Sequence, residues 1–276
     1  QGQAHKTTLA QIAADQLGVS PDDITVVTAD TGTIALGMGT FAARTAVNAG
    51  SSVHLAAREV ADKAKKLAAG MMECLAEDLE VADGCVRLKS APDVKKTFRE
   101  IAVKAIGTPG FSMAGGLAPG LEHTAYFTPE QSVYSNGTHV AEVEVDIDTG
   151  SVDVVEYHVV DDFGRVVNPL LLEGQVQGGI AQGLGQVLME DCIYDAESGQ
   201  LLTASFMDYA MPRASDMPPL DLVYNEIICK TNPLGTKGAG EAGNVGALPA
   251  IMNAIVDALG IAHMDMPATP EKVWRV

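Results

Sequence analysis

Between Pro169 and Met189 apolar residues recur at every fourth position: Leu172, Val176, Ile180, Leu184 and Leu188. That spacing predicts a helix with one buried face. Interleaved with it are five glycines, Gly174, Gly178, Gly179, Gly183 and Gly185. Each interior glycine costs a helix roughly 1 kcal/mol relative to alanine. A helix keeps so many only where another backbone, or a ligand, comes closer than a Cβ allows.

A second glycine-dense stretch, NPLGTKGAGEAGNVGALP, runs from Asn232 to Pro249 and carries two charges, Lys237 and Glu241. The apolar positions Leu248, Ile251, Met252, Ile255 and Leu259 follow at helical spacing, with Pro249 expected in the helix's first turn. A loop feeding a helix start offers free N–H groups that favour an anion. Two readings of Glu241 stand side by side. Buried among Gly and Ala, its carboxylate is raised toward the range of a general base; exposed, it merely balances the helix N-terminus. Lys237 either neutralises Glu241 or faces water.

The rest of the chain predicts an α+β fold in two lobes, about 1–130 and 131–276, with mixed or antiparallel sheets and one long helix. A first helix starts at Thr7 or Thr8 and stops at Gly18, and Ile24–Ala29 (ITVVTA) reads as a strand. The long helix is expected from about Asn48 to Leu79, with Lys63, Lys65 and Lys66 on its solvated side. Val81–Leu88 reads as a hairpin around Asp83-Gly84, and Phe98–Ile106 as a short helix. From His139 to Asp148, Ala141, Val143, Val145 and Ile147 alternate with Glu142, Glu144 and Asp146; the chain turns at Asp148–Ser151 and returns over Val152–Val160. A hairpin flanking Glu197-Ser198-Gly199, a strand over Leu220–Ile228 and a last short helix from Thr269 complete the pattern. Strand pairs are expected to be antiparallel.

The chain is 47% hydrophobic and 20% charged, with a net charge of −18, which fits a globular protein and argues against nucleic acid or an anionic membrane surface as partner. No uninterrupted apolar run reaches transmembrane length, and the expected location is cytoplasmic. Cys74, Cys85, Cys192 and Cys229 form no close pair, so reduced, buried thiols are expected rather than a disulfide framework or a zinc site. Gln1 stands where a translation product would carry Met, and a motif begins at once; the chain is expected to be part of a longer protein.

Two further small-residue loops, QGQAH at 1–5 and GMGTFAARTAVNAGSS at 37–52, share the Gly-rich character. Neither is a phosphate loop ending in Gly-Lys-Ser/Thr or a dinucleotide fingerprint after a strand. Together the four loops suit either tight lobe packing or a polar, multi-ring, phosphate-bearing ligand held by amides and backbone N–H groups. Arg44 contacts a phosphate or forms a surface ion pair. His5 binds a ligand or caps the first helix, and Asp161-Asp162 reads as turn chemistry rather than a metal site.

Taken in order, QGQAHKTTLAQ, GTFAARTAVNAGSS, VDDFGRVVNP, GQVQGGIAQGLGQ, FMDYAMP and TNPLGTKGAGEAG resemble the C-terminal part of the molybdenum-binding large subunit of the xanthine oxidase family. The likeness is to the bacterial branch containing aerobic carbon monoxide dehydrogenase and aldehyde or N-heterocycle dehydrogenases. It covers nearly the whole chain.

The resemblance implies a molybdopterin cytosine dinucleotide cofactor with molybdenum, and no FAD or iron–sulfur cluster in this chain. It implies hydroxylation of a carbon centre with water. Glu241 matches the family's catalytic base. Gln1, Gly2, Gln3 and Ala4 match one cofactor-contact loop; Ala42, Ala43, Arg44 and Thr45 match a second; Gln175 matches the helix beside the cofactor, and Gly240, just before the base, is a further cofactor-binding residue. The implied partners are the missing N-terminal half of the large subunit, an FAD-binding medium subunit, a small subunit with 2Fe–2S clusters and a small-molecule substrate, assembled as a dimer of heterotrimers. Two departures stand out. Ala4 replaces a usual glycine and Lys6 a usual acid, and about the first half of the family's subunit is absent, including the copper-binding cysteine loop of carbon monoxide dehydrogenases. The alternative is an isolated or split module that binds or helps assemble the cofactor without activity of its own.

Overall fold

The computed structural model describes residues 2–34, 37, 39–107 and 117–276. Within them the chain forms two units, Gln1–Ser132 with Lys230–Gly235, and Val133–Cys229 with Thr236–Val276.

In the first unit α1 (His5–Leu17) begins slightly before the expected threonines and ends at Gly18, whose φ of 58° and N–H bond to the Ala14 carbonyl close the helix. A Cβ there would also lie 2.8 Å from Ala82 Cα, so only glycine fits. Helix α2 (Thr45–Met72) is the longest element and packs on α1; a Cβ on Gly50 would stand 3.1 Å from Ile12 Cδ1. It ends at Glu73 with φ 52° rather than at Leu79, because Leu79 is taken by a strand. Strands β1 (Leu79–Ala82) and β2 (Cys85–Leu88) form the expected hairpin, with Asp83 and Gly84 at φ 52° and 68° as a type I′ turn requires.

Strand β3 (Ala91–Thr97) adds antiparallel to β2; its sequence APDVKKT has no apolar alternation to announce it. Thr97 and Glu100 then build a capping box at the start of α3 (Phe98–Ala105). Ala64, Leu67, Ala68, Leu79, Val86, Ile101 and Ala105 make the core. Lys65 pairs with Asp62 at 2.7 Å and Lys66 is exposed, as a solvated face should be. Ile24–Ala29 is not a strand: Ile24 is extended (φ −101°, ψ 117°), but the segment pairs with no strand among the described residues. β-Branched residues favour extension locally, whereas a ladder needs a partner.

The second unit is built on the hairpin β4 (Asn136–Val145) and β5 (Val152–Asp162). Asp146 Oδ1 accepts from the N–H groups of Asp148 and Thr149 to set the turn. A register shift at Glu142/Val143 leaves Val155 unopposed, so Val154 and Tyr157, three apart, both face inward. Strand β6 (Leu220–Tyr224) pairs parallel to β5, against the antiparallel expectation. The chain returns to the sheet only after α4 (Pro169–Leu188) and a long excursion, a crossover that permits the same strand direction. That excursion contains the bridge Tyr194↔Leu201, a minimal form of the expected hairpin.

Helix α5 (Ala242–Leu259) starts earlier than expected, at the glycine-rich stretch itself, so Pro249 lies inside the helix rather than in its first turn. Proline there cannot donate to the Val245 carbonyl, and both residues are exposed, where water can take the acceptor's place. By length and composition α5 could cross a membrane, yet Ala247, Ile251 and Ile255 are fully buried in the core. They meet Val176, Ile180, Leu184 and Val187 of α4, with Tyr157 and Val159 of β5. Helix α6 (Pro270–Trp274) closes the unit: its Pro270 carbonyl lies against Gly150. Of the cysteines only Cys85 is buried; Cys192 is exposed and Cys74 and Cys229 intermediate, so the expectation of buried thiols holds for one of them.

Candidate active site

Strand β5 ends in two buried acids, Asp161 and Asp162. Asp162 Oδ1 accepts from the N–H of Gly164 at 2.8 Å and of Ile227 at 3.1 Å, while Oδ2 pairs with Lys237 Nζ. Burial by itself would raise the Asp162 carboxyl; Lys237 and the two N–H donors outweigh it and hold the group below its ordinary range. The Lys237 main chain is tied to the same place, its N–H donating to the Phe163 carbonyl at 2.7 Å beside the Gly164↔Thr236 bridge. Lys237 therefore neither neutralises Glu241 nor faces water. Its partner is Asp162, read from sequence as mere turn chemistry.

From Lys237 the chain runs through Gly238, Ala239 and Gly240 to Glu241, the residue that caps α5 with φ −113° and ψ −14°. Gln175 Nε2 of α4 donates to the Gly240 carbonyl at 3.3 Å. Glu241 is exposed, and its side chain makes no cap hydrogen bond. This chain's own residues do not bury Glu241.

The glycines of α4 divide into two groups. A Cβ on Gly179 would lie 2.8 Å from Asn244 N, one on Gly183 would lie 2.6 Å from Ala247 Cβ, and one on Gly243 would lie 2.4 Å from the Val176 carbonyl. These positions let the backbones of α4 and α5 touch, and Gly185 similarly admits Pro212 and Glu190. Gly174 and Gly178, next to Gln175, have nothing within 4 Å of a would-be Cβ. They form an open strip beside the loop that carries Glu241.

Beneath α5 lies a polar cluster that the sequence reading passed over. His139 Nδ1 meets the Tyr157 hydroxyl at 2.9 Å and His139 Nε2 meets Asp161 Oδ1 at 3.4 Å, both side chains being almost wholly buried. Burial, then the Asp161 charge, pushes the Tyr157 hydroxyl well above its ordinary value. Strand parity was the available signal: His139 shares the inward parity of Ala141 and Val143 on β4.

In the first unit, Gln1 lies outside the described residues. Gly2 (φ 90°) and Gln3 are exposed, and Ala4 caps α1 at φ 55°, ψ 29°, its carbonyl accepting from Thr8 N and Oγ1, both at 3.1 Å. Alanine here takes the left-handed conformation that glycine adopts freely, at a cost of about 1–2 kcal/mol. Ala42 and Ala43 both have φ 50°, before Arg44 caps α2 at φ −101°, ψ −8°. The Arg44 guanidinium rests on the Phe41 ring, 4.6 Å from its centroid, and forms no ion pair among the described residues. Thr45 Oγ1 reaches Thr40 Oγ1 at 3.4 Å. The second unit brings Gln175, Gly240 and Glu241 together; Gly2–Ala4 and Ala42–Thr45 form the starts of two helices in the first. Among the described residues no group of three or more His, Cys, Asp or Glu side chains could hold a metal ion.

Residues 1–218 match the model of the molybdopterin cofactor-binding domain. The chain belongs to that family. It is 36% identical along its whole length to the carbon monoxide dehydrogenase large chain of Afipia carboxidovorans, covering 34% of that protein. It is 38% identical to the nicotine 6-hydroxylase large subunit of Paenarthrobacter nicotinovorans, again covering 34% of it. Among solved structures, the Cu,Mo-CO dehydrogenase in its carbon monoxide reduced state superposes with a TM-score of 0.88 at 36% identity, over all of this chain and 34% of that one. Quinoline 2-oxidoreductase from Pseudomonas putida 86 superposes at 0.87 with 37% identity, over 99% of this chain and 35% of that one. The α+β fold is thus a family fold, and the chain spans about a third of the length of these relatives.

Proposed function

We propose that this chain is the cofactor-binding, base-bearing portion of a molybdenum hydroxylase large subunit, oxidising CO, an aldehyde or an N-heterocycle with water. The observation that carries the reading is the placement of Glu241. Its carboxylate stands exposed at the start of α5, and Gln175 ties the preceding carbonyl to α4 beside the open strip at Gly174 and Gly178. A flat multi-ring group fits such a strip, because a Cβ at either glycine would fill it.

When bound, the molybdenum cofactor, in its molybdopterin cytosine dinucleotide form, accepts two electrons and activates the water-derived oxygen. Gln1–Ala4 and Ala42–Thr45 are the two loops that would contact it. Ala4, Ala42 and Ala43 in these loops are held at left-handed φ, a strained backbone that Ala29 shares outside them. Gln175 and Gly240 set the height of Glu241, which takes the proton on a carboxylate oxygen as general base. On this reading the chain is the C-terminal molybdopterin-binding domain of the larger subunit, in two lobes of about 1–130 and 131–276. The remaining parts of the assembly are the rest of the large subunit, an FAD-bearing medium subunit and a 2Fe–2S small subunit, as a cytoplasmic dimer of heterotrimers.

Glu241→Gln in the assembled complex should abolish turnover while leaving molybdenum content intact; retained turnover sinks the assignment. The exposure of Glu241 favours a second reading for the chain alone, an inert cofactor-binding or assembly module, because a base of this kind works where water is excluded. Molybdenum analysis and turnover of the chain, with and without partner chains, separate the two: activity in the chain alone refutes the inert module.

A further inference from the structure

The loop that delivers Glu241 has little in its own sequence to hold it in place. Gly238 and Gly240 flank Ala239, and glycine gives the backbone its widest freedom. Yet the loop is anchored twice within four residues. At Lys237 the main-chain N–H binds the Phe163 carbonyl and the ammonium binds Asp162; at Gly240 the carbonyl accepts from Gln175. Only Gly238 and Ala239 lie between the anchors.

We propose that Asp162 is the positioning residue for Glu241, acting through its buried ion pair with Lys237; this rests on Glu241 being the base. Asp162 collects three otherwise separate segments at one carboxylate: Gly164 after β5, Ile227 after β6, and Lys237 before α5. The side chains of Asp162 and Lys237 are 5% and 13% exposed, so neither charge can turn to water when its partner is lost. Such a pair adds little net stability but strongly penalises every arrangement in which it is broken. That suits a device that selects one loop geometry. Lys237 does not reach Glu241, so the pair sets the carboxylate's position without consuming its charge.

The test uses Asp162→Asn, Lys237→Met and the double variant in the full-length subunit within its complex, with Glu241→Gln alongside. Either single variant should lower kcat about 10- to 100-fold at nearly constant KM, the size expected of a misplacement near 1 Å. Molybdenum content should be retained, and the double variant, which leaves no unpaired buried charge, should recover part of the loss. Hydrogen exchange in the same complex should accelerate at the amides of residues 238–241 in the single variants and not across α4 or the sheet. Unchanged exchange at 238–241, or acceleration throughout the second unit with loss of molybdenum, overturns the proposal. If Glu241→Gln keeps turnover, the base assignment fails. The exchange at 238–241 then still decides whether Asp162 positions the loop.

Discussion

The imidazole of His139 lies so close under Gly246 that a Cβ on that glycine would stand 2.5 Å from ring atoms Nδ1 and Cε1. Helix α5 thus rests on a histidine whose own position is set by Tyr157 and Asp161. Gly246→Ala should lift α5 off β4 and cost about 1–3 kcal/mol, the usual penalty of overpacking. A lower midpoint in urea unfolding, with unchanged slope, is the expected result.

Tyr157 and Tyr224, both with a buried hydroxyl, should respond differently to its loss. The Tyr157 hydroxyl lies 2.9 Å from His139 Nδ1, so Tyr157→Phe removes a buried hydrogen bond and should cost about 1–3 kcal/mol. The Tyr224 hydroxyl is buried with no hydrogen-bond partner among the described residues, and burial, then the charges of Glu173 and Asp161, pushes it up to about 12. Tyr224→Phe should be neutral or stabilising. Thermal unfolding of both variants checks the contrast.

Neighbouring glycines of α4 should also part company. Gly179→Ala drives a methyl into the Asn244 backbone and should destabilise by about 1–3 kcal/mol. Gly178→Ala meets nothing within the chain and should stabilise the helix by roughly 1 kcal/mol. In the assembled complex the same Gly178→Ala should lower molybdenum content, because the strip it fills is the one assigned to the cofactor. Denaturation midpoints and metal analysis read the two effects separately.

Asp162 ties stability to acid. Its folded carboxyl is held below the ordinary value, so the unfolded chain binds a proton first as pH falls. The contribution is fully present above the unfolded value near 4 and is lost as pH drops through the depressed folded one. Unfolding midpoints followed from pH 7 to 2 should fall more shallowly below pH 4 in Asp162→Asn than in the wild type.

Local signals carried much of the fold. The hairpin at Asp83-Gly84 was legible because a type I′ turn needs residues tolerant of positive φ, and β4–β5 because alternation survives in the sequence. Ile24–Ala29 misled because β-branching speaks for extension and says nothing about a partner strand. β3 stayed hidden for the opposite reason: APDVKKT has weak strand character and is held by its pairing to β2. The start of α5 was misplaced because glycine propensity argues against helix, whereas contact of Gly243 with the Val176 carbonyl rewards it.

The amino-acid sequence alone determined that α4 must lie against something closer than a Cβ permits, since five glycines in an apolar helix have no local benefit. Only the tertiary structure decided that Gly179 and Gly183 meet α5 while Gly174 and Gly178 stay open. It alone joined Lys237 to Asp162 across 75 positions and left Glu241 exposed at the head of α5. Propensity and period act over neighbouring residues, whereas an ion pair between distant segments depends on how the sheet and helices pack, and leaves no local mark in the sequence.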